Sequence, residues 1–372
     1  MDGHGIATVE GAFFRPALEP IVPYEPGKPI DEVQRELGLE RVVKLASNEG
    51  PFPPFPGALA ALARGAGELN RYPDGGMARL REALAERHGV GPGNVVCAGG
   101  ADGVISYLSL VALDPGDEVV CGWPSFPSYV ISALKMGAIV RQVPLVDHRY
   151  DVDGLLAAIT ERTKIVYLCN PNNPTGTMVA RAEVERYFQA VPAHVLTVLD
   201  EAYFEYVGDP DYPDGIEEHV KRGRRALALR TFSKIYGLAG LRVGYGVGPA
   251  EVVTAIRKVQ NAFDVTQPAQ DAALASLDDA AEVARRRAVN ADGREALVAG
   301  LRALALEPVG PAVANFVFVD TGGDGAALFE RLLREGVVVR PMRGFGAPGA
   351  IRISVGAPEE VELALAALAR VL

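Results

Sequence analysis

The sequence predicts an α/β protein: a large, doubly wound, mostly parallel sheet domain and a smaller α+β domain. Three observations carry this. Short continuous apolar runs recur between residues 94 and 247, separated by segments of helical spacing, as strands covered on both faces by helices require. Polar clusters rich in Gly, Asn, Ser and Thr follow several of these runs, at the strand ends where open α/β sheets bind ligands. Beyond residue 266 a long helical stretch gives way to short strands interleaved with helices.

Residues 1–45 are mixed and Pro-rich, and Tyr24-Glu25-Pro26-Gly27-Lys28-Pro29 reads as an extended arm with turns. A short helical pattern covers Asp31 to Leu37. Leu45 to Pro51 ends a strand-like run and opens Phe52-Pro53-Pro54-Phe55-Pro56-Gly57, too rich in proline for regular structure and therefore a hinge between domains. Ala58–Ala66 reads as a helix, and Gly76 to His88 as another, with Leu80, Leu84 and Ala85 on its apolar side.

Alternation then sets in: strand Asn94–Ala98, helix Ala101–Leu113, strand Glu118–Gly122, helix Ser125–Met136. Apolar runs follow at Ile139–Val143, Ile165–Cys169, Val195–Leu199, Ala226–Leu229 and Val243–Val247. A helical region is expected over Gln267–Ala305. Strands at Asn315–Asp320, Gly336–Arg340 and Ile351–Val355 and helices at Gly325–Glu335 and Pro358–Val371 complete the chain. The expected division is an arm and part of the small domain over residues 1–45, the large domain over 46–265, and the rest of the small domain over 266–372.

Composition narrows the function. With 49% apolar and 23% charged residues the chain is ordinary globular protein. Its net charge of −10, without a long basic run, argues against nucleic acid or an acidic membrane surface as partner. Cys97, Cys121 and Cys169 are odd in number and each lies in an apolar run, which suggests buried thiols in a reducing cytoplasm and no metal site. Met1 to Glu10 has neither a basic start nor an apolar stretch, so a signal peptide is not expected. No run reaches the ~18 apolar residues of a membrane helix.

Four strand-end clusters carry chemistry. Gly99-Gly100-Ala101-Asp102-Gly103 opens a helix whose free N–H groups suit a phosphate, though an Asp-capped helix start would look the same. Cys169-Asn170-Pro171-Asn172-Asn173-Pro174-Thr175-Gly176 is a rigid turn that can fix the Asn173 amide against a planar ligand, or simply a turn. Leu199-Asp200-Glu201-Ala202-Tyr203 puts Asp200 at a strand end with no cation adjacent in sequence; a surface cap is the alternative to a partner such as a protonated pyridine nitrogen. Thr231-Phe232-Ser233-Lys234 supplies two hydroxyls and a lysine, with Arg242 eight residues on, and suits an anion whose reactive carbon the lysine holds. One ligand would use all four clusters: pyridoxal 5′-phosphate.

The chain resembles the fold-type I, class I/II aminotransferases nearly end to end. The resemblance rests on Tyr24-Glu25-Pro26-Gly27, Leu45-Ala46-Ser47-Asn48-Glu49, Arg71-Tyr72-Pro73-Asp74-Gly75, Asn172 to Gly176, Asp200 to Tyr203, Thr231 to Lys234, Gly237 to Arg242, Ala314-Asn315-Phe316 and Ile351 to Gly356. It implies that Lys234 is the Schiff-base lysine and proton shuttle and that Asp200 pairs with the pyridinium nitrogen. Tyr203 and Asn173 would bond the ring oxygen, and Phe126 would stack on the ring. The backbone around Gly100, Ala101 and Asp102, with Thr231, Ser233 and Arg242, would hold the phosphate. By the same resemblance Tyr72 reaches the partner's phosphate in a homodimer, Arg352 takes the substrate's anionic group, and Arg340, Tyr24 and Asn48 lie near it.

The implied activity is amino transfer from a small-molecule donor to a 2-oxo acid. The expected pair is L-histidinol phosphate and 2-oxoglutarate; an aromatic donor, or decarboxylation of threonine phosphate, would use the same cofactor residues. Gly50, Pro53-Pro54-Phe55 and Phe263-Asp264-Val265-Thr266 depart from the family pattern. A ligand-binding regulatory domain of this fold would need a DNA-binding module, and no basic helix-turn-helix segment precedes residue 45.

Overall fold

The structure, a computed structural model, describes residues 13–23 and 27–372. It begins with α1 (Ile30–Leu37), β1 (Val43–Lys44), α2 (Pro56–Gly65) and α3 (Ala78–His88). A seven-stranded sheet follows, built from β2 (Val95–Ala98), β3 (Glu118–Trp123), β4 (Ile139–Pro144), β5 (Thr163–Cys169), β6 (Leu196–Asp200), β7 (Ala226–Thr231) and β8 (Gly244–Val247). Between and after these strands come α4 (Ala101–Ala112), α5 (Ser128–Lys135), α6 (Val152–Ala157), α7 (Arg181–Ala190) and α8 (Ala250–Val259).

The spatial order is β2-β8-β7-β6-β5-β3-β4. Every pairing is parallel except those of β8, which runs antiparallel to both β2 and β7. The direction of β8 matters for the site. The C-terminal ends of β2, β5, β6 and β7 share one edge, and the reversed β8 brings its N-terminal end there too. Gly244 pairs with Ala98 on one side and Thr231 on the other. Arg242, two residues earlier, is thereby delivered between the loops that follow β2 and β7.

The C-terminal part adds α9 (Gln267–Ser276), α10 (Ala280–Ala303), β9 (Phe316–Asp320), α11 (Gly325–Arg334), β10 (Val337–Val338), β11 (Arg340–Pro341), β12 (Ala350–Ser354) and α12 (Pro358–Val371). Strands β11, β12 and β9 form an antiparallel sheet, and β10 pairs in parallel with β1. One apolar core lies around the large sheet; a second gathers Val43, Leu45, Leu301, Val317, Ile351 and Leu368 from β1, α10, β9, β12 and α12.

The structure differs from the sequence expectation in several places, beginning with α2, which starts at Pro56 inside the stretch expected to be irregular. The strand expected over Gly336–Arg340 is two strands in two sheets, because the chain leaves β1 at Val339 and continues as the partner of β12. The helix expected from Ser125 starts at Ser128: Pro127 disfavours a helical conformation at Phe126, and Ser125 is buried with its hydroxyl bonded to Asn172 Oδ1 at 2.9 Å. The helical region Gln267–Ala305 is broken at residues 277–279, where the Asp279 side chain caps α10 by accepting from the Glu282 N–H. Ala269, Ala272, Ala273 and Leu277 belong to the larger core, as do Ala314 and Phe316 further along the chain.

Candidate active site

The polar strand ends meet. A cavity of ≈ 760 Å³, counted to its open mouth, is lined by residues of all four clusters and by the small sheet: Ala101, Asp102, Phe126, Asn173, Asp200, Tyr203, Thr231, Ser233, Lys234, Arg242 and Arg352, together with Ser47, Asn48, Cys169 and Ala202.

One end of the cavity is cationic and rich in N–H donors. Helix α4 starts at Ala101 with no side chain capping it, so its first N–H groups face the cavity end without a capping acceptor. Gly100 precedes it at φ +82°, and a Cβ there would stand 2.7 Å from Arg242 Nη2. Gly244 is equally constrained, since a Cβ would stand 2.4 Å from the Ala101 nitrogen. Two glycines thus let a helix N-terminus, a strand and a guanidinium come together. Arg242 donates to Ser233 Oγ at 3.3 Å, and Thr231 Oγ1 accepts from the Ser233 N–H at 3.1 Å.

At the floor, Asp200 is buried at the end of β6. Its Oδ2 accepts from the Tyr129 hydroxyl at 2.6 Å and its Oδ1 from the Ala202 N–H at 3.1 Å. Burial pushes this carboxyl up, while those two donors and the charge of Lys234 pull it down.

Lys234 donates to the Ser47 carbonyl at 3.4 Å. Its ammonium is pulled down to about 8, first by burial, then by Arg352 and Arg242, against Glu49 and Asp200. A lysine in that state carries a sizeable fraction of free amine near neutral pH and is a usable nucleophile.

Opposite the floor, Tyr203 Oη accepts from Asn48 Nδ2 at 2.9 Å, and burial raises its phenol. Asn48 adopts φ +54°. It is held there by Ser354 Oγ, which accepts its N–H at 2.9 Å, and by Asn315, whose Nδ2 donates to its carbonyl at 3.0 Å. Arg352, buried on β12, donates to Asn173 Oδ1 and to the Ala46 carbonyl, the latter at 2.8 Å. With its oxygen on Arg352, the Asn173 amide keeps its NH₂ for a ligand acceptor.

Three expected residues stand apart from this lining. Arg340 lies opposite Arg352 on β11. Tyr72 is 82% exposed and stacks on Phe263 at 4.4 Å, away from its own chain's cavity. Tyr24 lies outside the described residues. Sequence reasoning missed Tyr129; its one signal was its place three residues after Phe126, at the start of α5. The departure at Asp264 has a local reason: it accepts from Tyr107 Oη at 2.9 Å and from the Gly99 N–H at 3.3 Å, bracing the loop after β2.

A cationic, N–H-rich end, a buried carboxylate, an aromatic wall at Phe126 and a lysine of lowered basicity fit a phosphorylated pyridine aldehyde. Fold and site together define a fold-type I transferase, and the chain belongs to the aminotransferase class I and II family, whose model matches residues 40–368. More particularly, it is 44% identical over 372 residues to a histidinol-phosphate aminotransferase of Moorella thermoacetica, covering 100% of this chain and 95% of that one. It is also 44% identical over 346 residues to histidinol-phosphate aminotransferase 2 of Carboxydothermus hydrogenoformans, covering 92% and 95%. Among solved structures it is similar to the histidinol-phosphate aminotransferase of Sinorhizobium meliloti in complex with pyridoxal-5′-phosphate, with TM-score 0.87, 31% identity and 97% and 98% of the two chains covered. A Thermus thermophilus aspartate aminotransferase mutant superposes with TM-score 0.85 at 28% identity, covering 97% and 100%.

Proposed function

We propose that this chain is a pyridoxal 5′-phosphate-dependent aminotransferase that moves the amino group of L-histidinol phosphate to 2-oxoglutarate in histidine biosynthesis, working as a cytoplasmic homodimer. The observation that carries the proposal is the convergence of Lys234, Asp200, Arg242 and Arg352 on one cavity. Family membership and relatives at 44% identity named for that activity support it. Among the described residues no helix is long and apolar enough to cross a membrane.

Bound in the cavity, the cofactor would supply an aldehyde that carries the amino group and a pyridinium that draws electrons from the carbon losing its proton. The N–H groups of Ala101 and Asp102, the hydroxyls of Thr231 and Ser233 and the Arg242 guanidinium would hold its phosphate. Asp200 would accept a hydrogen bond from its ring nitrogen, Asn173 and Tyr203 would bond its ring oxygen, and Phe126 would cover one ring face. Lys234 would hold the group covalently; once freed by the donor, its Nζ would take the proton from the donor carbon and deliver it to the carbon on the far side of the transferred nitrogen, two bonds away. Arg352 would receive the anionic group common to donor and acceptor, with Arg340, Asn48 and Tyr24 around the remainder. Tyr72, exposed beside Phe263, would complete the site of a second subunit.

The test is steady-state turnover with 2-oxoglutarate across histidinol phosphate, histidinol, phenylalanine and threonine phosphate. Histidinol phosphate should give the highest kcat/KM, and histidinol, lacking the phosphate, a far lower one. Faster turnover of phenylalanine would reassign the enzyme to aromatic donors, and carbon dioxide release from threonine phosphate would reassign it to decarboxylation.

A further inference from the structure

Tyr129 makes the shortest hydrogen bond to the buried carboxylate at the cavity floor, 2.6 Å from its hydroxyl to Asp200 Oδ2. The tyrosine is 0% exposed. Its ring stacks on Tyr167, centroids 4.3 Å apart and planes 11° apart, and meets Phe126 edge-on at 5.7 Å and 82°. A phenol clamped by two aromatic neighbours is a preorganised donor, because little conformational freedom remains to be lost when the bond forms.

Charge around Asp200 is mixed. Lys234 favours its anion and Asp102 opposes it, while Cys169, Tyr167 and Tyr203 are near enough to feel its charge. Burial works against the anion, so its stability rests heavily on donated hydrogen bonds. Only two are present among the described residues, from Tyr129 and from the Ala202 N–H. The Ala202 donor belongs to the turn itself; the Tyr129 donor is supplied by another element, α5.

The geometry points to Tyr129 as a positioning residue for amino transfer: its hydroxyl orients the Asp200 carboxylate and lowers its basicity, so that a proton shared with the cofactor's ring nitrogen stays on the nitrogen. The inference rests on the cofactor assignment made above and extends it. A carboxylate and a pyridine compete for one proton, and a donor bonded to the carboxylate weakens only that competitor. Without the phenol the proton moves toward Asp200, and the ring loses the positive charge that makes it an electron sink.

The experiment compares Tyr129→Phe with Tyr167→Phe, which removes the hydroxyl of the stacked neighbour and leaves the Asp200 bond intact. In cofactor-free protein, the protonated-carboxyl stretch assigned to Asp200 by an Asp200→Asn difference infrared spectrum is followed against pH. Tyr129→Phe should raise its midpoint by ~1 unit or more, and Tyr167→Phe should leave it in place. In loaded enzyme, the ring-nitrogen ¹⁵N shift should move toward the unprotonated value in Tyr129→Phe alone, with kcat falling ~10-fold and KM changing less than ~3-fold. Should Tyr129→Phe prove unstable, 3,5-difluorotyrosine at position 129 gives a more acidic phenol of nearly the same shape and should lower the midpoint. An unmoved midpoint in both replacements, or equal effects of Tyr129→Phe and Tyr167→Phe, would overturn the inference. The infrared arm needs neither cofactor nor substrate, so it is separate from a failure of the proposed activity, which would show as wild-type protein that does not take up the cofactor.

Discussion

Arg340 and Arg352 are direct cross-strand partners, paired in the antiparallel ladder of β11 and β12. Two guanidiniums at facing positions repel each other unless anions lie near them. If the pair serves the substrate's anionic groups as proposed, the two cations occupy unequal places: Arg352 lines the cavity and Arg340 does not.

Arg352→Ala should cost ~2–5 kcal/mol in kcat/KM for every anionic substrate, 2-oxoglutarate included, as expected when one partner of a desolvated charge pair is truncated. Arg340→Ala should raise the KM of histidinol phosphate far more than that of phenylalanine. Equal effects of Arg340→Ala on both donors would place the phosphate elsewhere.

The purified protein should be yellow when loaded with pyridoxal 5′-phosphate, and Lys234→Ala should remove or displace the visible band. Wild-type protein that stays colourless with excess cofactor would end the cofactor assignment.

Lys234 also predicts a pH dependence. Its folded value is about 8 against 10.5 for an ordinary lysine, so between these limits the unfolded chain binds a proton the folded one does not. Stability of the cofactor-free protein should therefore gain a rising component from pH 8 to 10.5, absent in Lys234→Met. At pH 7 that variant should be more stable by about 1–2 kcal/mol, the cavity's solvent access reducing the gain. Denaturant midpoints at pH 7 and 10 decide the sign.

Behind the site, Arg230 and Glu201 form a buried pair: Nε and Nη2 donate to Oε2 at 3.0 and 2.9 Å, and Nη2 also reaches Asp214 at 2.9 Å. Arg230→Ala leaves that carboxylate buried and unpaired, and should cost ~3–5 kcal/mol in urea unfolding. Replacing both Arg230 and Glu201 by methionine should cost less than Arg230→Ala alone.

If Tyr72 serves a second subunit, sedimentation of the loaded protein should give a dimer, and Tyr72→Ala should weaken cofactor binding ~10-fold while leaving the Tyr72-free face folded. A fully active monomer would contradict this.

Much of the site was legible because its parts are local. Ala101, Asn173, Asp200 and Lys234 each follow an apolar run, and a strand end is visible in a window of ten residues. The reversal of β8 was not legible, since Val243–Val247 reads like any parallel strand and its direction is set by pairing with β2 and β7. Nor were the bonds from Asn48 to Ser354 and from Arg352 to Asn173, which join positions 306 and 179 residues apart. Tyr129 was hidden for another reason: a tyrosine in an amphipathic helix looks like core until the carboxylate beside its hydroxyl is located. The break at Leu277 and the change of sheet at Val339 depend on which neighbour each residue meets, and local spacing does not encode that.

Arg352 joins the two parts of the chain by donating to Asn173, in the turn after β5, and to the Ala46 carbonyl, just after β1. These two acceptors are uncharged, and if Arg352 receives the substrate's anion, a carboxylate or phosphate would offer it a stronger, charge-assisted bond than either. A neutral amine has nothing comparable to offer. On the proposed role, Arg352 would then act as a latch with a chemical key: its hold on the Asn173 amide would yield to an anion and not to a molecule of the same shape without one.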